Sequence, residues 1–84
     1  DGIIEFKALF SEAAAIHLHE TKLCKDQRLT ETENGQVVVE GTVQMTSQFR
    51  WWLLGFGDQI EVLEPESLRN EMANITSKMA STYK

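Results

Sequence analysis

Cysteine, proline and tyrosine occur once each in these 84 residues, and basic side chains are outnumbered by acidic ones. The single thiol, Cys24, cannot form an internal disulfide, so a stapled secreted scaffold is excluded and a reducing cytoplasm is the expected compartment. Long hydrophobic runs are missing too. None approaches the ~18 residues of a membrane-spanning helix, and Asp1-Gly2-Ile3-Ile4-Glu5 has neither the basic region nor the apolar core of a secretory signal. Eight Lys and Arg against 13 Asp and Glu give a net charge of −5 and a pI near 4.9. That balance argues against autonomous binding of duplex DNA, because a basic face is what displaces the counterions around phosphate.

What is present suffices for one small globular domain. A chain of 84 residues buries only around 60–65% of the surface its unfolded form exposes. The 42% hydrophobic and 25% charged content suggests neither global disorder nor a membrane protein. No linker, repeat or low-complexity tract divides residues 1–84. The start without methionine, inside a strand-like segment, leads us to expect a fragment of a longer chain.

Residue periodicity orders the elements. Ile4, Phe6, Ala8 and Phe10 alternate with Glu5, Lys7 and Leu9, as in a strand with one buried face. Ser11 followed by Glu12 and three alanines starts a helix running to about His19 or Glu20, the hydroxyl accepting an orphan N–H. After a connection, Gln27 to Glu33 reads as a modest strand, Asn34-Gly35 as a two-residue hairpin turn, and Gln36 to Met45 as a clear strand in which Gly41 marks a candidate bulge. Phe49, Trp52, Leu53 and Phe56 then fall at i, i+3, i+4 and i+7, one apolar stripe on a short helix that Gly57 stops. Ile60 and Val62 belong to a strand from Gln59 to Leu63, and a last helix opens at Glu64-Pro65 with proline in its first turn. Its stripe is Leu68, Met72, Ile75, Met79 and Tyr83, expected as core or dimer surface because methionine fills irregular gaps.

Strand, helix, strand, strand, helix, strand, helix, with right-handed crossovers, predicts an α+β fold: a ferredoxin-like split βαβ sandwich with one added C-terminal helix. Its two crossover helices would cover one face of the sheet. The other face is then left for the last helix or for a partner.

Few residues carry reactive chemistry. His17 and His19 lie about 200° apart on a helix and cannot grip one ion, and no zinc-binding spacing accompanies them or Cys24. No orienting group can be picked out for a Cys24 nucleophile, and Gly55 and Gly57 follow a helix where a phosphate-binding loop would precede one. No metal and no cofactor is therefore expected. Lys22, Lys25 and Arg28 either face an anionic ligand or form a solvated loop. Arg50 and Trp51 lie off the apolar stripe. A guanidinium beside an exposed indole can stack on bases or anchor an interface; alternatively Trp51 covers the core edge while Arg50 pairs with an acid such as Glu61.

Arg50 to Leu54, Phe56-Gly57, Val62 to Pro65, and Leu68 to Tyr83 occur in an order that resembles the C-terminal extension (WCX) domain of the WYL family of bacterial transcription regulators. The likeness is densest from Ser47 to Arg69. It implies a non-enzymatic domain, placed after a helix-turn-helix DNA reader and a WYL domain of the same chain, that supports homodimerisation and borders an effector site. The effector would be single-stranded nucleic acid or a small molecule, and duplex DNA would be met only through the parent protein. Neither the helix-turn-helix nor the tryptophan-tyrosine-leucine motif occurs in these residues, so only Arg28, Arg50 and Trp51 are carried forward as effector-facing or interface positions. Two rivals are a small-molecule-sensing ferredoxin-like module binding a metabolite at a dimer interface, and an acylphosphatase-like enzyme. The enzyme needs an arginine in the loop after the first strand, where Phe10-Ser11-Glu12 stands instead.

Overall fold

The computed structural model describes residues 2–20 and 22–83, the side chain of His19 excepted. Its elements run β1 Ile3–Phe10, α1 Glu12–Glu20, β2 Arg28–Glu31, β3 Val37–Gln44, α2 Ser47–Gly55, a short 3-10 turn Gly57–Gln59, β4 Ile60–Glu64 and α3 Glu66–Thr82. The strands form one sheet in the order β2-β3-β1-β4. Every neighbouring pair is antiparallel. β1 and β2, joined by α1, are therefore parallel but separated by β3, and β3 and β4, joined by α2, are separated by β1. This is the ferredoxin-like arrangement, with α3 added.

Alternation along the strands decides what the helices cover. Phe6, Ala8, Phe10, Val39, Val43 and Val62 share one face and are all buried, with Phe6, Ala8, Phe10 and Val39 at 1% exposure or less. Ala14, Ala15 and Leu18 of α1 and Leu53 of α2 close over them. Small residues on α1 let that helix lie close to the sheet. Its start is fixed by Ser11, whose hydroxyl accepts from the Ala14 amide at 3.1 Å. Gly57, at φ +63°, ends α2 as the sequence requires.

Three expectations are corrected in detail. The β2–β3 connection is a three-residue loop, not a two-residue one. The Thr32 amide bonds the Gln36 carbonyl at 2.8 Å and the Gly35 amide the Thr32 carbonyl at 3.2 Å, with Gly35 at φ +81°, as in a turn closed by a glycine bulge. Gly41 is not a bulge, since it pairs in register with Phe6. A methyl there would collide with the Cys24 Sγ, so the glycine admits the 22–27 segment onto the sheet. The irregular step falls instead between Lys7 and Ala8 against β4, where Leu63 is the extra residue. Pro65 stands at the N-cap of α3, one place before its first turn.

The last helix does not fold across the uncovered face. It runs along β4, burying Leu68 and packing Met72 against the core, while the Arg69 guanidinium donates to the Val62 carbonyl and the Glu61 carboxylate, both at 2.8 Å. The outer edge of β4 is thereby occupied. Along the stripe burial falls away: Leu68 is 2% exposed, Ile75 half-buried, Met79 48% and Tyr83 88% exposed. Leu68 and Met72 are thus core, and the far half of the stripe is surface.

Candidate functional site

α2 is held at its start by Thr46, whose hydroxyl accepts from the Phe49 amide at 3.0 Å. Its stripe builds an aromatic chain along the helix layer. Phe49 meets Phe6 edge-on at 5.1 Å and stacks near Trp52 at 6.0 Å, and Trp52 meets Phe56 edge-on at 4.8 Å. These separations lie in the range where ring pairs attract beyond simple burial. Phe49, Trp52 and Phe56 are only half-buried, and they wall a cleft of about 500 Å³. Gln48 of α2, His17 and Glu20 of α1, and Lys22 supply its polar rim.

Arg50 and Trp51 stand elsewhere on the same helix. Arg50 pairs with Glu71 of α3, not with Glu61, which Arg69 takes. Trp51 does not cover the core edge; its indole is 71% exposed. Arg28 lies on β2 opposite Glu40, with 3.9 Å between guanidinium and carboxylate. By strand parity it belongs to the face of the sheet away from α2, so Arg28 and Arg50 cannot contact one small ligand together. The basic trio is likewise dispersed: Lys22 rims the aromatic cleft, Lys25 sits in a turn and Arg28 on the opposite face.

The groups considered for chemistry do not converge. His17 sets its ring edge on Phe56 at 5.6 Å, whereas Cys24 lies over Gly41 beside Asp26. Burial, then the neighbouring Asp26, pushes the Cys24 thiol up from its ordinary value, away from a reactive thiolate. Among the described residues no group of three or more His, Cys, Asp or Glu is disposed to hold a metal ion, and no helix is long and apolar enough to cross a membrane.

Two features escaped sequence reasoning. Asp26 accepts from the Thr42 amide at 2.9 Å and the Thr42 hydroxyl at 2.7 Å, taking the place of the next ladder pair beyond the end of β2. Those two bonds, with the Cys24 thiol, lower its pKa to about 2. The other is a row of charges across the uncovered face. Arg28 opposes Glu40, Glu40 opposes Lys7 and Lys7 opposes Glu64, so the sign alternates over all four strands. These side chains line one shallow depression of about 170 Å³. The individual charges are plain in the sequence; only the register puts them in line.

A family model described as the WCX domain matches residues 2–80. No curated protein matches the chain.

Proposed function

The chain belongs to the WCX domain family, and on that premise we propose that it is the non-enzymatic regulatory and dimerisation domain of a WYL-type transcription regulator. In this reading residues 1–84 are the C-terminal part of a cytoplasmic bacterial regulator whose DNA reader is a helix-turn-helix elsewhere in the parent chain. The observation that carries it is the family match over nearly the whole domain. It is supported by the scatter of reactive groups: His17 and Cys24 sit in different surroundings.

The mechanism is mechanical. An effector bound where this domain meets the WYL domain changes how two copies pack, and that packing sets the spacing of the DNA readers. Its effect is limited to the difference in effector affinity between the two arrangements. Trp51, exposed on the helix layer, and Arg50, steered by Glu71, are the positions proposed to face effector or WYL domain there; Arg28 is proposed to serve the contact between copies on the other face. Light scattering of the 84-residue chain tests the dimer. A concentration-dependent rise towards twice the monomer mass is expected, and a strict monomer at high micromolar concentration counts against it.

One observation favours the alternative of a small-molecule-sensing module that binds a metabolite at a dimer interface. The aromatic cleft between α1 and α2 has apolar walls and a polar rim, the usual make-up of a ligand pocket. Selective binding to the native state raises its stability, so thermal unfolding against a metabolite panel separates the two readings. A reproducible rise in Tm that is abolished by Trp52→Ala favours the sensor.

A further inference from the structure

The uncovered face of the sheet carries an order of charges that fits itself. Across the strands in space, β2 to β4, the row reads Arg28, Glu40, Lys7, Glu64: plus, minus, plus, minus. A second copy turned by a two-fold axis parallel to the strands, passing between β3 and β1, presents the same row in reverse. Arg28 then lies over the partner copy's Glu64 position and Glu40 over its Lys7 position, and each contact occurs twice, as a two-fold interface demands. The adjoining row obeys the same rule. Thr30, Val38, Leu9 and Glu61 reversed set the apolar pair Val38 and Leu9 over one another at the centre.

We propose that this face is the contact between two copies of the chain, sheet against sheet, with Lys7–Glu40 and Arg28–Glu64 as its intermolecular charge pairs. The inference rests on the reading of the chain as a self-associating domain and specifies its geometry. Charge complementarity chooses a second copy as the occupant. The chain carries −5 overall, so an arbitrary face would meet its copy with acid against acid, whereas this row is balanced in sign. At physiological salt, where the Debye length is about 8 Å, contacts across the row outweigh repulsion from distant acids. Three further acids stand at this face: Glu61 is already paired with Arg69, Asp26 is bonded to Thr42, and Glu5, which opposes Thr42 within the sheet, falls over the partner copy's Thr42 position under the same two-fold. The face offers about a dozen side chains, fewer than the roughly 20–30 of a standard stable interface, so the isolated domain forms a weak dimer.

Sedimentation equilibrium from micromolar to millimolar concentration tests this with Lys7→Glu and Glu40→Lys. Each reversal alone places like charges in contact twice and weakens self-association by ~10-fold or more. Mixing the two variants opposes Glu to Lys at both contacts, so hetero-association returns to within a few-fold of the wild type. Both variants lose the same pairing inside the chain, so recovery on mixing reports the contact between chains alone. If either variant fails to unfold cooperatively, Arg28→Glu mixed with Glu64→Arg makes the same test. A wild-type chain that stays monomeric to millimolar concentration overturns both this geometry and the dimer reading beneath it. A dimer indifferent to the reversals, or weakened by them without recovery in the mixture, overturns the geometry and leaves the dimer standing.

Discussion

The same four strands have two faces that obey different rules. Beneath the helices the side chains are apolar and nearly inaccessible: Phe6, Ala8, Phe10 and Val39 are at 1% exposure or less. On the other side Lys7 and Glu40 are half-buried and Arg28 and Glu64 are exposed. Neighbouring residues of β1 therefore serve opposite purposes, and a slip of one position would exchange them. What differs is the kind of information each face holds. The covered face needs only apolar side chains of fitting volume; the uncovered one depends on which sign stands opposite which.

The sharpest way to break the comparison is to strike β1 on each side. Phe10→Ala removes a fully buried ring that Trp52 and Phe56 pack against and should cost about 3–5 kcal/mol. A domain of this size holds on the order of 5–10 kcal/mol, so about half of the stability is lost. Leu9→Ala, one residue away on the uncovered face, should cost about 1 kcal/mol or less. Urea unfolding followed by circular dichroism checks both; equal losses would dissolve the distinction.

Gly41 sharpens it next, because there a loop and not a helix covers the sheet. Gly41→Ala drives a methyl into the Cys24 Sγ and should destabilise by about 1–3 kcal/mol, the usual cost of overpacking. Cys24→Ala made together with it should recover part of that loss, so the two effects are not additive in urea unfolding. Additive losses would place the strain elsewhere.

How much of this was legible in the sequence depends on the range of the signal. Ile4, Phe6, Ala8 and Phe10 announce the covered face by period two, and Ser11, Gly57 and the Phe49, Trp52, Leu53, Phe56 stripe announce where helices begin, end and face. All are local patterns, and they sufficed for the fold. The Asn34-Gly35 pair marks the place of the turn but not its length, since Gly35 alone of the two takes the left-handed conformation. The Gly41–Cys24 contact, the Asp26 bonds to Thr42 and the partners of Arg50 and Arg69 join residues from 7 to 21 positions apart. Nothing in the pattern of a single segment encodes such pairs. The charge row is the extreme case, because its order exists only once the register of three strand pairs is known.

A smaller effect separates the faces by pH. Asp26 has its pKa lowered to about 2 by the Thr42 bonds, so its carboxylate form is favoured in the folded chain. Its contribution is complete above its ordinary value of 3.8 and is lost as pH falls through that value towards 2. Asp26→Asn should lower Tm at pH 7, and the gap from wild type should narrow below pH 4 and close near pH 2. A gap that stays constant down to pH 2 would show that the charge of Asp26 is not what ties its loop to β3. Burial of the core face, by contrast, carries no titrating group and should leave the Phe10→Ala deficit unchanged over the same range.

The least effect is expected at the far end of α3, and there the near-null result is itself informative. Met79 continues the stripe that Leu68 and Met72 begin, yet it is 48% exposed while Leu68 is at 2%. The helix is 17 residues long, about 25 Å at 1.5 Å per residue, and outruns the sheet edge that anchors its first turns. Leu68→Ala should thus cost about 2–5 kcal/mol, and Met79→Ser no more than about 0.5 kcal/mol, both read from urea midpoints at unchanged m-value. A Met79→Ser loss comparable to that of Leu68→Ala, growing with protein concentration, would mean that the apolar stripe is buried against a second copy. The contact between chains would then lie on α3, and the charged face of the sheet would be left to solvent.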